Sequence, residues 1–69
     1  MAWSSDDVDR VLRRLGFTLV RRAAHDIYTK PGHSRSVSVP RNRTRLPDGT
    51  LRSIWRQAGV APDAVERLR

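Results

Sequence analysis

The chain has no cysteine, a single lysine and no long hydrophobic run among its 69 residues. The absence of cysteine excludes disulfide bonds, thiolate metal sites and cysteine nucleophiles. No segment approaches the roughly 18 consecutive apolar residues that a membrane-spanning helix needs. The first residues also lack the cationic and apolar regions of a secretory signal. We therefore expect a soluble, cytoplasmic protein without a membrane partner.

The apolar content is modest, at 38%, but the apolar residues recur in short periodic groups. This pattern is typical of a folded domain rather than of a disordered chain. A chain of this length is too short to divide into two pieces that each bury a core without disulfides or metals. We predict one domain over residues 1–69.

Acidic residues are scarce relative to basic ones. Seven Asp plus Glu oppose 14 Lys plus Arg, which gives a net charge of +7 and a sequence pI of about 11.7. Such a balance indicates a polyanionic partner: nucleic acid, anionic lipid or an acidic protein. All the basic residues except Lys30 are arginines, whose guanidinium pairs with phosphate and stacks on bases. The arginine bias fits RNA contact, and a GC-rich genome explains it equally well.

Apolar residues at helical spacing predict two main helices. The first follows a cap at Ser4 or Ser5, and the second follows a cap at Thr50. Their apolar stripes are Val8, Val11, Leu12 and Leu15 in the first helix, and Leu51, Ile54, Trp55 and Ala58 in the second. Pro62 suits the first position of a short third helix.

Three strands are predicted between the two main helices, at residues 17–22, 25–30 and 34–39. The order α-β-β-β-α predicts an α+β fold, with a three-stranded antiparallel sheet, helices on one face and the other face open. It is similar to the order in double-stranded-RNA-binding domains. Ile27 and Tyr28 are both core candidates on opposite faces of the second strand, so the pattern leaves open which face is buried. The same uncertainty applies to His25.

Few kinds of catalytic chemistry remain open to this composition. The acids are scattered, His25 and His33 form no metal-binding motif, and all four glycines lie at helix ends or turns. We therefore expect no metal site. One histidine among arginines suffices for metal-free RNA cleavage, in which a base removes the 2'-hydroxyl proton and cations stabilise the phosphorane. From the residues alone, the favoured interpretation of His25 is an ordinary strand residue near a turn, because most histidines are not catalytic. The polar loop around Arg43 is equally a solvated loop or an RNA-phosphate contact.

Four stretches of the chain carry a resemblance to a known family. They are VLRRLGF at residues 11–17, RRAAHDIY at 21–28, VSVPR at 37–41 and GTLRSIWRQAG at 49–59. In content and order they resemble the HicA family of mRNA-interferase toxins from type II toxin–antitoxin systems, over about residues 8–61. The resemblance implies a double-stranded-RNA-binding-domain-like fold, ribosome-independent mRNA cleavage without a cofactor, and neutralisation by a HicB-type antitoxin. We expect the free toxin to be a monomer.

The resemblance also assigns residues. It implies that His25 is the catalytic histidine and that Tyr28 matches the family's aromatic three positions later. The side chains expected to bind RNA are Arg21, Arg22, Tyr28, Lys30, Arg41, Arg43, Arg45 and Arg52. Ala23-Ala24 replaces the family's usual Gly-Ser, which removes a flexible backbone position and a hydroxyl. Two alternatives remain: a non-catalytic RNA-binding module, and a basic surface that docks an acidic protein.

Overall fold

The computed structural model describes residues 2–69, and its elements follow the predicted order. Met1 lies outside the described residues. The elements are α1 (Ser5–Arg14), β1 (Thr18–Arg22), β2 (His25–Lys30), β3 (His33–Pro40), α2 (Asp48–Ala58) and α3 (Pro62–Leu68). The strands form one antiparallel sheet in the order β1-β2-β3. This arrangement confirms the predicted α+β fold class.

A capping box fixes the start of α1. The Ser4 hydroxyl accepts the Asp7 N–H at 3.1 Å, and the Asp7 carboxylate accepts the Ser4 N–H at 3.0 Å. Ser4, rather than Ser5, is therefore the cap. Its backbone N–H is the largest of the contacts that lower the pKa of Asp7, and the guanidinium of Arg69 lowers that pKa further.

The register of the sheet settles which face of β2 is buried. Tyr28 lies opposite Val37 and Asp26 lies opposite Val39, and the two valines and the tyrosine are at most 2% exposed. Because neighbouring residues of a strand point to opposite faces, His25 belongs to the other face, where it is exposed. Tyr28 is thus the core residue of this strand.

The hydrophobic core lies between the helices and the Tyr28 face of the sheet. The buried apolar residues are Trp3, Val8, Val11, Leu12, Phe17, Tyr28, Val37, Val39, Leu46, Leu51, Ile54, Trp55, Ala58 and Val65. The rings of Trp3 and Trp55 meet edge to face with centroids 5.3 Å apart. This core confirms both predicted helix stripes, except that Leu15 is only half-buried. Within residues 2–69, no helix is long and apolar enough to cross a membrane.

The start of α2 corrects a prediction, because Thr50 is not the cap. The helix begins at Asp48, and Pro47 occupies the cap position without a capping side-chain hydrogen bond. The preceding residue, Leu46, is 3% exposed and its N–H donates to the Trp3 carbonyl at 2.8 Å. This anchor fixes the chain before the helix, and the restricted φ of Pro47 leads directly into the first turn. Thr50 therefore lies within the first turn of the helix, and its hydroxyl does not cap the helix.

Candidate active site

His25 lies at the edge of an open groove between the sheet and α2. It is the first residue of β2, directly after the Ala23-Ala24 turn, and it lies opposite Pro40 at the end of β3. The groove has a volume of about 410 Å³. The residues that line it are His25, Ser38, Pro40, Gly49, Thr50, Ser53, Ile54 and Gln57. We call this space the His25 groove.

The wall opposite His25 is one side of α2, held against β3 by Gln57. The Gln57 side-chain carbonyl accepts the Ser38 N–H at 3.0 Å, and its amide nitrogen donates to the Ser53 hydroxyl at 3.2 Å. Among the described residues that line the groove, His25 is the only titratable one, and none is Lys or Arg. The groove therefore offers an imidazole, hydroxyls and an amide, but no cationic side chain.

Arg41 holds the turn that precedes His25. Its guanidinium donates to the Ala23 carbonyl at 3.3 Å and lies 3.4 Å from an Asp26 carboxylate oxygen. That oxygen is buried and has the charge of Arg41 nearby but no hydrogen bond. Arg41 was expected to bind RNA, whereas its contacts here are within the protein. The arrangement ties the end of β3 to the turn and so restrains the position of His25.

Tyr28 and Arg22 lie on the helix-facing side of the sheet, away from His25. Tyr28 is 2% exposed, and its hydroxyl donates to the Asp9 carboxylate at 2.6 Å. Burial, and then the hydrogen bond to Asp9, raise the pKa of the Tyr28 phenol far above its ordinary value. Arg22 lies opposite Asp26 and lines a separate small cavity of about 120 Å³ that Asp9 and Tyr28 also line. A buried phenol cannot touch RNA in this structure, so the expected RNA contact of Tyr28 does not fit.

Lys30 and Arg52 are also outside the His25 groove. Lys30 ends β2, about 16 Å along the strand from His25 at the usual rise per residue. Its ammonium donates to the Leu15 carbonyl at 3.3 Å and lies 5.0 Å from the centre of the Phe17 ring. Arg52 lies on another side of α2, beside a cavity that Trp3 and Trp55 line. Neither cation lines the His25 groove.

Arg21, Arg43 and Arg45 are exposed and line neither of the two cavities beside Arg22 and Arg52. Arg21 lies opposite Ile27, so it shares the open face of the sheet with His25. Arg43 and Arg45 are exposed on the segment between β3 and α2. The backbone of Arg43 is anchored, because its N–H donates to the Ser5 hydroxyl at 3.0 Å and its carbonyl accepts the Ser5 N–H at 2.9 Å. None of these three arginines lines the His25 groove.

Sequence reasoning missed the polar residues of the α2 wall. Thr50, Ser53 and Gln57 are spaced i, i+3 and i+7, which puts them on one side of a helix. That spacing beside the apolar stripe is a signal in the sequence. It became informative only once the fold had brought this side of α2 next to His25.

A comparison with known protein families gives one match, which covers most of the chain. The family described as the HicA toxin of bacterial toxin–antitoxin systems matches residues 5–60, from the start of α1 to just beyond α2. This chain belongs to the HicA toxin family. A search of curated proteins found no match. Membership makes the chain a toxin of a toxin–antitoxin system, supports a nuclease in general terms, and implies a cognate antitoxin as its partner.

Proposed function

We propose that this HicA toxin is a metal-independent endoribonuclease that cleaves mRNA, with His25 as its one catalytic side chain. The observation that carries the proposal is the position of His25. It is exposed at the edge of a groove that opens on the sheet's free face, and it is the only described groove residue with an imidazole, the side chain that most often serves as a general base. Family membership supports the same activity.

The proposed reaction needs one proton acceptor and one proton donor. Neutral His25 takes the proton of a ribose 2'-hydroxyl, and the 2'-oxygen then forms a bond to the adjacent phosphorus. The bond from phosphorus to the 5'-oxygen breaks, and that oxygen takes up a proton from a water molecule. The protonated His25 then returns its proton to the hydroxide that remains, which restores the water and the neutral imidazole. The products are a 2',3'-cyclic phosphate and a 5'-hydroxyl end. Such a step requires neither a metal ion nor a cofactor.

RNA binding is proposed for the exposed arginines around the groove. Arg21 on the open sheet face, with Arg43 and Arg45 on the following loop, would contact backbone phosphates. The net charge of +7 supports a polyanionic ligand. Tyr28 is left out of the binding surface because it is buried.

The test compares the wild-type toxin with His25→Ala in a chelator. Loss of a general acid or base slows such reactions by about 10²–10⁴-fold, so we expect cleavage by the variant to be nearly undetectable. His25 is exposed, and the variant should therefore fold normally by circular dichroism. Thr29→Ala, at an exposed position on the same strand, serves as the matched control. Cleavage by His25→Ala at the wild-type rate would refute the assignment, and complete inhibition by the chelator would refute metal independence.

A non-catalytic RNA-binding module is the second candidate. Two observations favour it: Ala23-Ala24 replaces the family's Gly-Ser, and no Lys or Arg lines the described part of the His25 groove. Both candidates predict RNA binding that weakens steeply with salt. Only the first predicts shortened RNA, so electrophoresis of the incubated RNA separates them.

A further inference from the structure

We infer that the α2 wall of the His25 groove binds the RNA phosphate on which His25 acts, with the Ser53 hydroxyl as a phosphate-binding donor. The inference rests on the proposed function and adds a residue that the family motif leaves unspecified. Ser53 stands at a variable position of the motif stretch 49–59, between Leu51 and Ile54. The role proposed for Ser53 therefore rests on its position in the His25 groove of this chain and not on the family motif.

The first step is the placement of Ser53 opposite His25. Both residues line the same groove, His25 from the strand side and Ser53 from the helix side. Ser53 is exposed, whereas Ile54 beside it is 1% exposed and belongs to the core. A phosphodiester in the groove would thus lie between the imidazole and the hydroxyl.

The second step is the direction of the hydrogen bonds at Gln57. A backbone N–H can only donate, so the Gln57 atom that faces the Ser38 N–H at 3.0 Å must be the amide oxygen. The other end of the amide is then the NH₂ group, which donates to the Ser53 oxygen at 3.2 Å. Because the Ser53 oxygen accepts this bond, its own hydrogen points elsewhere. In the described structure no protein acceptor is recorded for that hydrogen, which leaves it free for a ligand oxygen.

The third step is the absence of cationic side chains from the described lining of the groove. Charge that develops on a phosphorane must be stabilised where it forms, and neutral donors such as hydroxyls and amides can do this when they are already oriented. Ser53 is such a donor, because Gln57 and Ser38 fix its surroundings. Ser53 on α2 thus provides a hydroxyl donor, which Ala24 in the turn lacks.

The experiment measures single-turnover cleavage of RNA in a chelator by the wild type and four variants, with RNA affinity measured separately. Ser53→Ala should slow cleavage of bound RNA by about 10²–10³-fold, because a single transition-state donor is lost. RNA affinity should change less than threefold. Alanine is a better helix former than serine, so the fold is preserved. Ser53→Thr keeps a hydroxyl and should cleave within about threefold of the wild type.

The matched control is Ser34→Ala, which removes an exposed hydroxyl about 20 Å along β3 from Pro40 at the usual strand rise. It should cleave at the wild-type rate. The salt dependence of RNA binding should be the same for Ser53→Ala and the wild type, since a neutral donor releases no counterions. These readouts separate a contact with the reacting phosphate from a general effect on binding.

Each contrary outcome has a distinct meaning. If the wild type and His25→Ala yield equal amounts of product, the proposed function fails and this inference fails with it. If His25→Ala is inactive but Ser53→Ala cleaves at the wild-type rate, only this inference is overturned. It is also overturned if Ser53→Thr is as slow as Ser53→Ala, or if the Ser34→Ala control is equally slow.

Discussion

Replacing Tyr28 with phenylalanine removes one oxygen atom from the core and leaves the His25 groove unchanged. The lost group is a hydroxyl that donates to the Asp9 carboxylate at 2.6 Å. The ring remains to fill the space between α1 and the sheet, so no cavity of methyl size is created. The variant therefore isolates the contribution of a single hydrogen bond.

The size of the effect follows from what happens to Asp9. A hydrogen bond to a charged group contributes about 1.5–3 kcal/mol. In the variant the carboxylate keeps the Nε of Arg13 at 2.9 and 3.1 Å, and with a third of its side chain exposed it can recruit water. We therefore expect the lower end, a loss of about 1.5 kcal/mol in the free energy of unfolding. For a domain of this size that corresponds to a fall in Tm of roughly 6–12 °C.

The same contact makes stability depend on alkaline pH. The pKa of Tyr28 is raised in the folded state, chiefly by burial, so the unfolded chain loses the phenolic proton first. The stabilisation is fully present below about pH 10, the ordinary pKa of tyrosine. Above that pH, the free energy of unfolding should fall by up to about 1.4 kcal/mol per pH unit. Tyr28→Phe should lack this component of the alkaline loss.

Urea unfolding of the wild type, Tyr28→Phe and Thr29→Val measures the predicted difference. Thr29→Val also removes a hydroxyl from β2, but at an exposed position, and should change stability by less than about 0.5 kcal/mol. RNA affinity, measured where all three proteins are folded, should be the same. Unchanged stability in Tyr28→Phe would refute the structural role. If Tyr28→Phe lowers RNA affinity and leaves stability unchanged, Tyr28 contacts RNA as the family resemblance implies.

Three further predictions concern Arg41 and the two residues of the α1 capping box. Arg41→Lys keeps the charge, but a lysine cannot reach both the Ala23 carbonyl and the Asp26 carboxylate. Single-turnover cleavage should therefore fall about tenfold, while RNA affinity changes little. Weaker RNA binding with an unchanged cleavage rate of bound RNA would instead make Arg41 an RNA contact. Ser4→Ala should lower the free energy of unfolding by about 1 kcal/mol in urea titrations. Because the folded-state pKa of Asp7 is lowered, the stabilisation by its carboxylate is present above about pH 4 and lost as the pH falls below that value. Asp7→Asn should lack this acid loss of the free energy of unfolding, and an identical pH dependence in the variant and the wild type would contradict the prediction.

Periodicity was sufficient to predict the order of the elements and both helix stripes, because burial of one side of each helix dictates their spacing. It could not distinguish Ile27 from Tyr28, since both are large and apolar and they point to opposite faces. The decision came from contacts distant in sequence: Asp9 accepts the Tyr28 hydroxyl, and Val37 lies opposite the ring. The start of α2 was missed for a similar reason, because the buried Leu46 and its bond to Trp3 fix the helix entrance.

The candidate site was predictable only in part. The family motif pointed to His25, and its exposure beside the groove is compatible with that role. Charge alone could not sort the basic residues by location. Lys30 is engaged with Leu15 at the far end of its strand, and Arg41 is engaged with the turn. Their positions depend on the sheet register and on the path of the chain after β3, which no local pattern encodes.

The replacement of Gly-Ser by Ala23-Ala24 affects two properties, and the structure separates them. Glycine would be required at the turn only if its φ were positive, yet among residues 2–69 the one non-glycine residue with positive φ is Asn42. Both alanines therefore adopt ordinary backbone conformations, and the turn is closed by the Ala23 N–H on the His25 carbonyl at 3.3 Å and by Arg41. Neither position of this turn therefore requires glycine. What remains is the loss of a hydroxyl, and Ser53 offers one from the opposite wall of the groove.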